Sequence, residues 1–84
     1  MMNEFLFAVA RILAGSNVGS PLHTQSLVLL RKITYRMQRE VYSDNFDAEE
    51  FITDSIHELP GRFRTDVLQE FELVCAIRSI AAQG

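Results

Sequence analysis

Residues 47–61 read Asp47-Ala-Glu-Glu-Phe-Ile-Thr-Asp-Ser-Ile-His-Glu-Leu-Pro-Gly61. Ala48, Phe51, Ile52, Ile56 and Leu59 recur at intervals of three and four, which puts them on one side of a helix. Glu49, Glu50, Asp54, His57 and Glu58 fall on the other side, facing water. Asp47 with Glu50 three residues on matches the capping-box arrangement, in which side chains take up the amides left free at a helix start. Pro60-Gly61 closes the segment. A helix with one apolar face must lie on neighbouring helices, and nowhere does the chain show the sustained alternation of a strand. The class is therefore all-α.

Toward the N-terminus, Ser20-Pro21 starts a second helical segment, with serine at the cap and proline in the first turn. It is the longest, reaching to about Tyr42, and Ser43-Asp-Asn forms the turn after it. Leu22, Leu29, Ile33, Met37 and Val41 make one stripe at helical spacing; Val28, Tyr35 and Tyr42 repeat every seven residues on another side. Two apolar faces imply two neighbours. Gly15–Ser20 is a linker by composition. Before it, Glu4–Ala14 forms a helix capped by Asn3 and stopped by Gly15; Phe5, Leu6, Phe7, Val9, Ile12 and Leu13 make it apolar nearly all round. Beyond Gly61, the last helix begins near Thr65-Asp66 and ends near Ala82. Val67, Phe71, Val74, Ala81 and one of Ile77 or Arg78 lie on its inner side, while Leu68, Leu73, Cys75 and Ile80 widen the apolar surface.

The expected architecture is one domain over residues 1–84. A three-helix core spans residues 21–82, a shorter N-terminal helix spans residues 1–14, and homodimerisation completes the bundle. Eighty-four residues supply one thin core. Small domains commonly gain support from disulfides, a metal or a second subunit. Cys75 is the single cysteine, which excludes an internal disulfide and a multi-cysteine zinc site. That leaves the second subunit. If ~600 Å² of the extra apolar surface stayed in water it would exceed what monomers expose; at ~25 cal/mol/Å² its burial is worth about 15 kcal/mol before the costs of association. The interface is expected at Val28, Tyr35, Tyr42, Leu68, Leu73 and Ile80.

No catalytic constellation assembles. Glu49-Glu50 and Glu70-Glu72 are too close in sequence to face one another across a helix, so neither pair shares a proton. Cys75 sits among Val74, Ala76 and Ile77, a setting for a buried structural thiol and not for an activated one. His23, in the first turn of the second helix, has only Ser26 within reach one turn on, with no orienting acid. Gly15 and Gly19 fit no phosphate-binding loop. The chain is read as a non-enzyme with no cofactor and no metal. Lys32, Arg36 and Arg39, with Arg31 beside them, line one face of the second helix. They offer either a nucleic-acid or acidic-partner contact or a solvated face balanced by the acidic second half. The net charge of −3 argues against non-specific nucleic-acid binding. Glu49, Glu50, Asp54 and Glu58 form a negative patch of the kind a stoichiometric inhibitor or immunity-type protein presents to a basic target. No ~20-residue apolar run crosses a membrane, and Glu4 near the start is the wrong sign for a secretory signal. A free cysteine and no export signal give a cytoplasmic reading.

The run Leu22-His23-Thr24-Gln25, the stripe Leu29, Ile33 and Met37, Ser55-Ile56-His57-Glu58-Leu59, Asp66-Val67-Leu68 and Leu73-Val74 resemble the AriR/YmgB family. These are small regulators of biofilm formation and acid resistance, with relatives described as two-component-system connectors. The resemblance spans about residues 22–80. The stretch joining the second and third helices is longer here than in the family, and the Pro60-Gly61 junction is shorter. The resemblance implies an all-α homodimer with a regulatory role, touching a signalling or transcription protein or DNA.

Overall fold

The computed structural model describes residues 1–40 and 45–83. Val41, Tyr42, Ser43 and Asp44, to which the sequence pattern assigns the end of the second helix, part of its two apolar lines and the turn, lie outside the described residues. Four helices follow in order: α1 (Met2–Gly15), α2 (Pro21–Glu40), α3 (Ala48–His57) and α4 (Gly61–Gln83). Among the described residues there is no strand. The molecule is a slab, 36 × 34 × 19 Å.

The first helix is not an accessory to a three-helix core, as the pattern of faces led us to expect. It is the centre. α1 packs along both α2 and α4 and touches α3. Its Met2, Phe5 and Val9 meet Leu29 and Ile33 of α2, Ile52 and Ile56 of α3, and Phe63 and Val67 of α4 in a single core. Phe5 also takes the edge of Phe71, with ring centroids 5.6 Å apart. The reason lies in α1's composition: a helix apolar on several sides loses most water contact in the middle, where neighbours cover more than one face.

The helix starts show which local signals operate. Ser20 Oγ accepts from the His23 amide at 3.2 Å, and Asp47 Oδ1 accepts from the Glu50 amide at 3.1 Å. Both caps were legible. Asn3, in contrast, caps nothing: α1 begins two residues before the expected Glu4, with Met1 at the cap position and no side-chain bond there. At its other end Ser16 Oγ donates to the Leu13 carbonyl at 2.7 Å and lies 3.1 Å from His23 Nδ1, so α1 is fastened to the first turn of α2. His23 thus meets Ser16 and not Ser26, whose hydroxyl donates to the Leu22 carbonyl.

α4 starts at Gly61, four residues before the expected position. Two residues explain the early start. Gly61 holds φ +45°, which lets the chain turn directly from α3 into α4. Arg64, one turn in, donates from Nε to the Leu59 carbonyl at 3.0 Å and from Nη2 to the His57 carbonyl at 2.9 Å. One guanidinium thereby occupies two carbonyls at the end of α3 that the helix itself cannot satisfy.

At 1.5 Å per residue α4 is ~34 Å long and α1 only ~21 Å. Glu4 meets Arg78, and Arg11 meets Glu70, so the two helices run antiparallel. From Ala76 to Gln83 every residue of α4 is exposed. Ala81, assigned to the inner face by spacing, is therefore outside the core, and Ile77, beside Phe7 of α1, is half open.

Candidate protein-interaction surface

Leu73, Ile77 and Ile80 stand at i, i+4 and i+7, which places them on one line along α4. Beside that line Phe7 of α1 shares a shallow hollow with Val74 and Ile77. Phe7, Leu73, Ile77 and Ile80 are each between 46% and 68% exposed. Such values are unusual for four large apolar side chains gathered on one flank, since it is clustering, not single exposure, that marks a binding surface. Charged pairs border the patch. Arg78 Nε lies 3.1 Å from Glu4 Oε1, and Arg11 pairs with Glu70 while its guanidinium sits 6.0 Å from the Phe7 ring centre. An apolar middle with a charged rim is the anatomy of a protein interface. The Met1 amino group, then the Glu4 backbone amide, and more weakly Arg78, hold the Glu4 carboxyl below its ordinary value of 4.5.

The other expected interface residues do not join this patch. Val28 and Tyr35 are exposed on α2, which lies along a different side of α1. Tyr42 lies outside the described residues. Leu68 is exposed as well, but its register puts it on the opposite flank of α4 from Leu73 and Ile80, toward Cys75. Phe7 and Ile77, which belong to the patch, were not in the expected set. The 73/77/80 spacing was the signal for Ile77. Phe7 had none, because its position follows from the pairing of α1 with α4.

Val28 instead overlooks a groove of ≈ 350 Å³ between α2 and the α3–α4 corner, lined also by Leu29, Leu59, Pro60 and Phe63. Lys32 and Glu58 pair across its edge at 3.1 Å. Ser55, buried in the groove wall, has no hydrogen-bond partner for its hydroxyl among the described residues.

The basic face of α2 is largely engaged within the molecule. Lys32 Nζ is 5.6 Å from the Phe51 ring centre in addition to its Glu58 contact. The Arg36 guanidinium lies 4.4 Å over Phe46. Arg39 donates to the Tyr35 hydroxyl at 3.1 Å and lies against that ring. Arg31 has no side-chain partner among the described residues. The Lys32 and Arg36 contacts fasten α2 to α3 and the segment that opens it, while that of Arg39 stays within α2; cation–π pairs contribute about 0.5–1 kcal/mol each at exposed sites.

Cys75 is half-buried, not fully buried as its neighbours implied, and burial followed by the Glu4 charge pushes its thiol up from 9.0, away from the nucleophilic form. The expected acidic patch, Glu49, Glu50, Asp54 and Glu58, is exposed on α3. Among the described residues no three potential ligands gather as a metal site, and no helix is long and apolar enough to cross a membrane. No family model, curated protein or solved structure matches the chain.

Proposed function

We propose that this chain is a cytoplasmic, non-enzymatic regulatory adaptor that works by gripping other proteins, a second copy of itself among them. The observation that supports this reading is the half-open cluster of Phe7, Leu73, Ile77 and Ile80 within a charged rim. A chain of 84 residues has little stability to spare. An apolar cluster left in water is a liability unless something covers it. The resemblance of residues 22–80 to the AriR/YmgB regulators points the same way, toward an all-α dimer whose partner is a signalling or transcription component.

The nucleic-acid alternative has less support. Lys32, Arg36 and Arg39 are engaged with Glu58, Phe46 and Tyr35, so a phosphate would have to compete with those contacts. Light scattering on a size-exclusion column tests the adaptor reading: a mass that rises toward twice the chain at micromolar concentration is expected, and a strict monomer counts against self-pairing. A gel-shift titration across salt tests the alternative. Binding that weakens with salt and disappears when Lys32, Arg36 and Arg39 become alanine would favour it.

A further inference from the structure

We propose that the groove between α2 and the α3–α4 corner is a binding site for a small uncharged molecule, apolar except for one hydroxyl or carbonyl that pairs with the Ser55 hydroxyl. The site shares no lining residue with the hollow at Phe7 and does not depend on self-pairing.

Ser55 carries the polar half of the argument. Two serines are buried, Ser26 at 0% and Ser55 at 2% exposure. A helical serine enclosed in this way ordinarily donates back to the carbonyl one turn before it. Ser26 does so, reaching the Leu22 carbonyl at 2.7 Å. Ser55 does not: its hydroxyl has no partner among the described residues, and the residue forms part of the groove wall. A buried hydroxyl left without a partner is costly. A polar atom entering the groove supplies the bond that the fold leaves unmade.

The surroundings fix the rest of the ligand. Leu29 and Phe63, both buried, line the groove with Leu59, Pro60 and the exposed Val28, so the body that fits there is apolar. The charges at its edge, Lys32 and Glu58, are already spent on each other at 3.1 Å. An ion would have to part that pair or enter uncompensated, which excludes a charged ligand on cost. The groove stays open because α2 packs along α1, while its exposed ties to α3 are long side chains: Lys32 reaches Glu58 and Phe51, and Arg36 reaches Phe46. Such side chains span a gap without filling it. A dry cavity of ~150 Å³ takes one benzene. At ≈ 350 Å³ and open to solvent, the groove has room for a body of about ten non-hydrogen atoms. A ligand of that size binds weakly, with a dissociation constant on the order of 100 µM.

Titration of the full chain with β-naphthol, followed by amide and methyl NMR shifts, tests the site. Shifts should centre on Leu29, Ser55 and Phe63 and spare Ile77 and Ile80. Naphthalene, which lacks the hydroxyl, should bind about fivefold more weakly, and the naphthoate ion about tenfold more weakly. Ser55→Ala should weaken β-naphthol by about fivefold, leave naphthalene unchanged and not lower the melting temperature, since the hydroxyl it removes has no partner in the fold. Val28→Trp, which fills the groove from its lip, should abolish binding of both while circular dichroism shows the chain folded. Equal affinity for β-naphthol and naphthalene, with no effect of Ser55→Ala, would overturn the role of the hydroxyl and with it the ligand class. Shifts confined to Phe7 and Ile77, or no shifts at millimolar β-naphthol, would overturn the site. So would groove signals that move with protein concentration alone, which would assign this face to a second copy.

Discussion

α1 and the outer half of α4 begin from similar material and end in opposite places. Each is a helix with large apolar side chains on more than one side. In α1 two faces are taken by α2 and α4, with Phe5 and Val9 wholly buried and Phe7 left half open. In α4 the same kind of surface is covered only as far as Val74; Ile77 and Ile80 remain open. The difference is one of direction, not of composition: Leu73, Ile77 and Ile80 line a flank of α4 turned away from its buried side, although α1 reaches as far as Arg78. A helical face states how much cover a segment needs. Whether a neighbour supplies it depends on which way that face turns.

The sharpest way to break the comparison is to truncate both regions and measure urea unfolding in dilute solution. Phe5→Ala should cost about 3–5 kcal/mol, the usual range for emptying a buried phenylalanine site. That is much of the roughly 4–12 kcal/mol a domain this size possesses. Gly61→Ala, at the inner end of α4, should cost about 1–2 kcal/mol, the conformational cost of an L-residue in the left-handed region. No atom lies within 4 Å of the added carbon, so crowding contributes nothing. Gly15→Ala is the control: it has ordinary helical geometry and equal space, and should stabilise by about 0.5–1 kcal/mol.

A third test concerns Glu4, held chiefly by the Met1 amino group, then by its own amide, and more weakly by Arg78 of α4. The Glu4 carboxyl is held below 4.5 in the folded chain, so its contribution is complete above that value and is lost as the pH falls below it. Melting temperature should drop between pH 6 and pH 3 (both roughly chosen to bracket ordinary carboxylate titration), and Glu4→Gln should make the drop smaller. The smallest effect belongs to the open end: Ile80→Ser, measured where the chain is monomeric, should change stability by no more than about 0.5 kcal/mol.

Local features were the legible ones. Ser20-Pro21 and Asp47 with Glu50 announce their helices because capping is settled within four residues. The stripe through Leu29 and Ile33 is buried as its spacing requires. What the chain alone does not disclose is assembly. The start of α4 was obscured because Arg62-Phe63-Arg64 after Pro-Gly looks like a polar turn, yet Phe63 enters the core and Arg64 turns its charge back onto α3. The central place of α1 depends on three other helices at once. The interaction surface was half legible for the same reason: Leu73 and Ile80 could be picked out by register, but Leu68 falls on the other flank and Phe7 comes from another helix.

With only 19 Å between its broad faces, the slab has no deep interior. Every helix has a side facing bulk solvent, and the buried middle turns of α1 lie at the centre of the core. Amide protons around Phe5, Ala8 and Val9 should therefore be the last to exchange with deuterium, at rates set by whole-molecule unfolding, while those of Ala76–Gln83 exchange by local fraying. A second copy lying along that end would slow exchange there first.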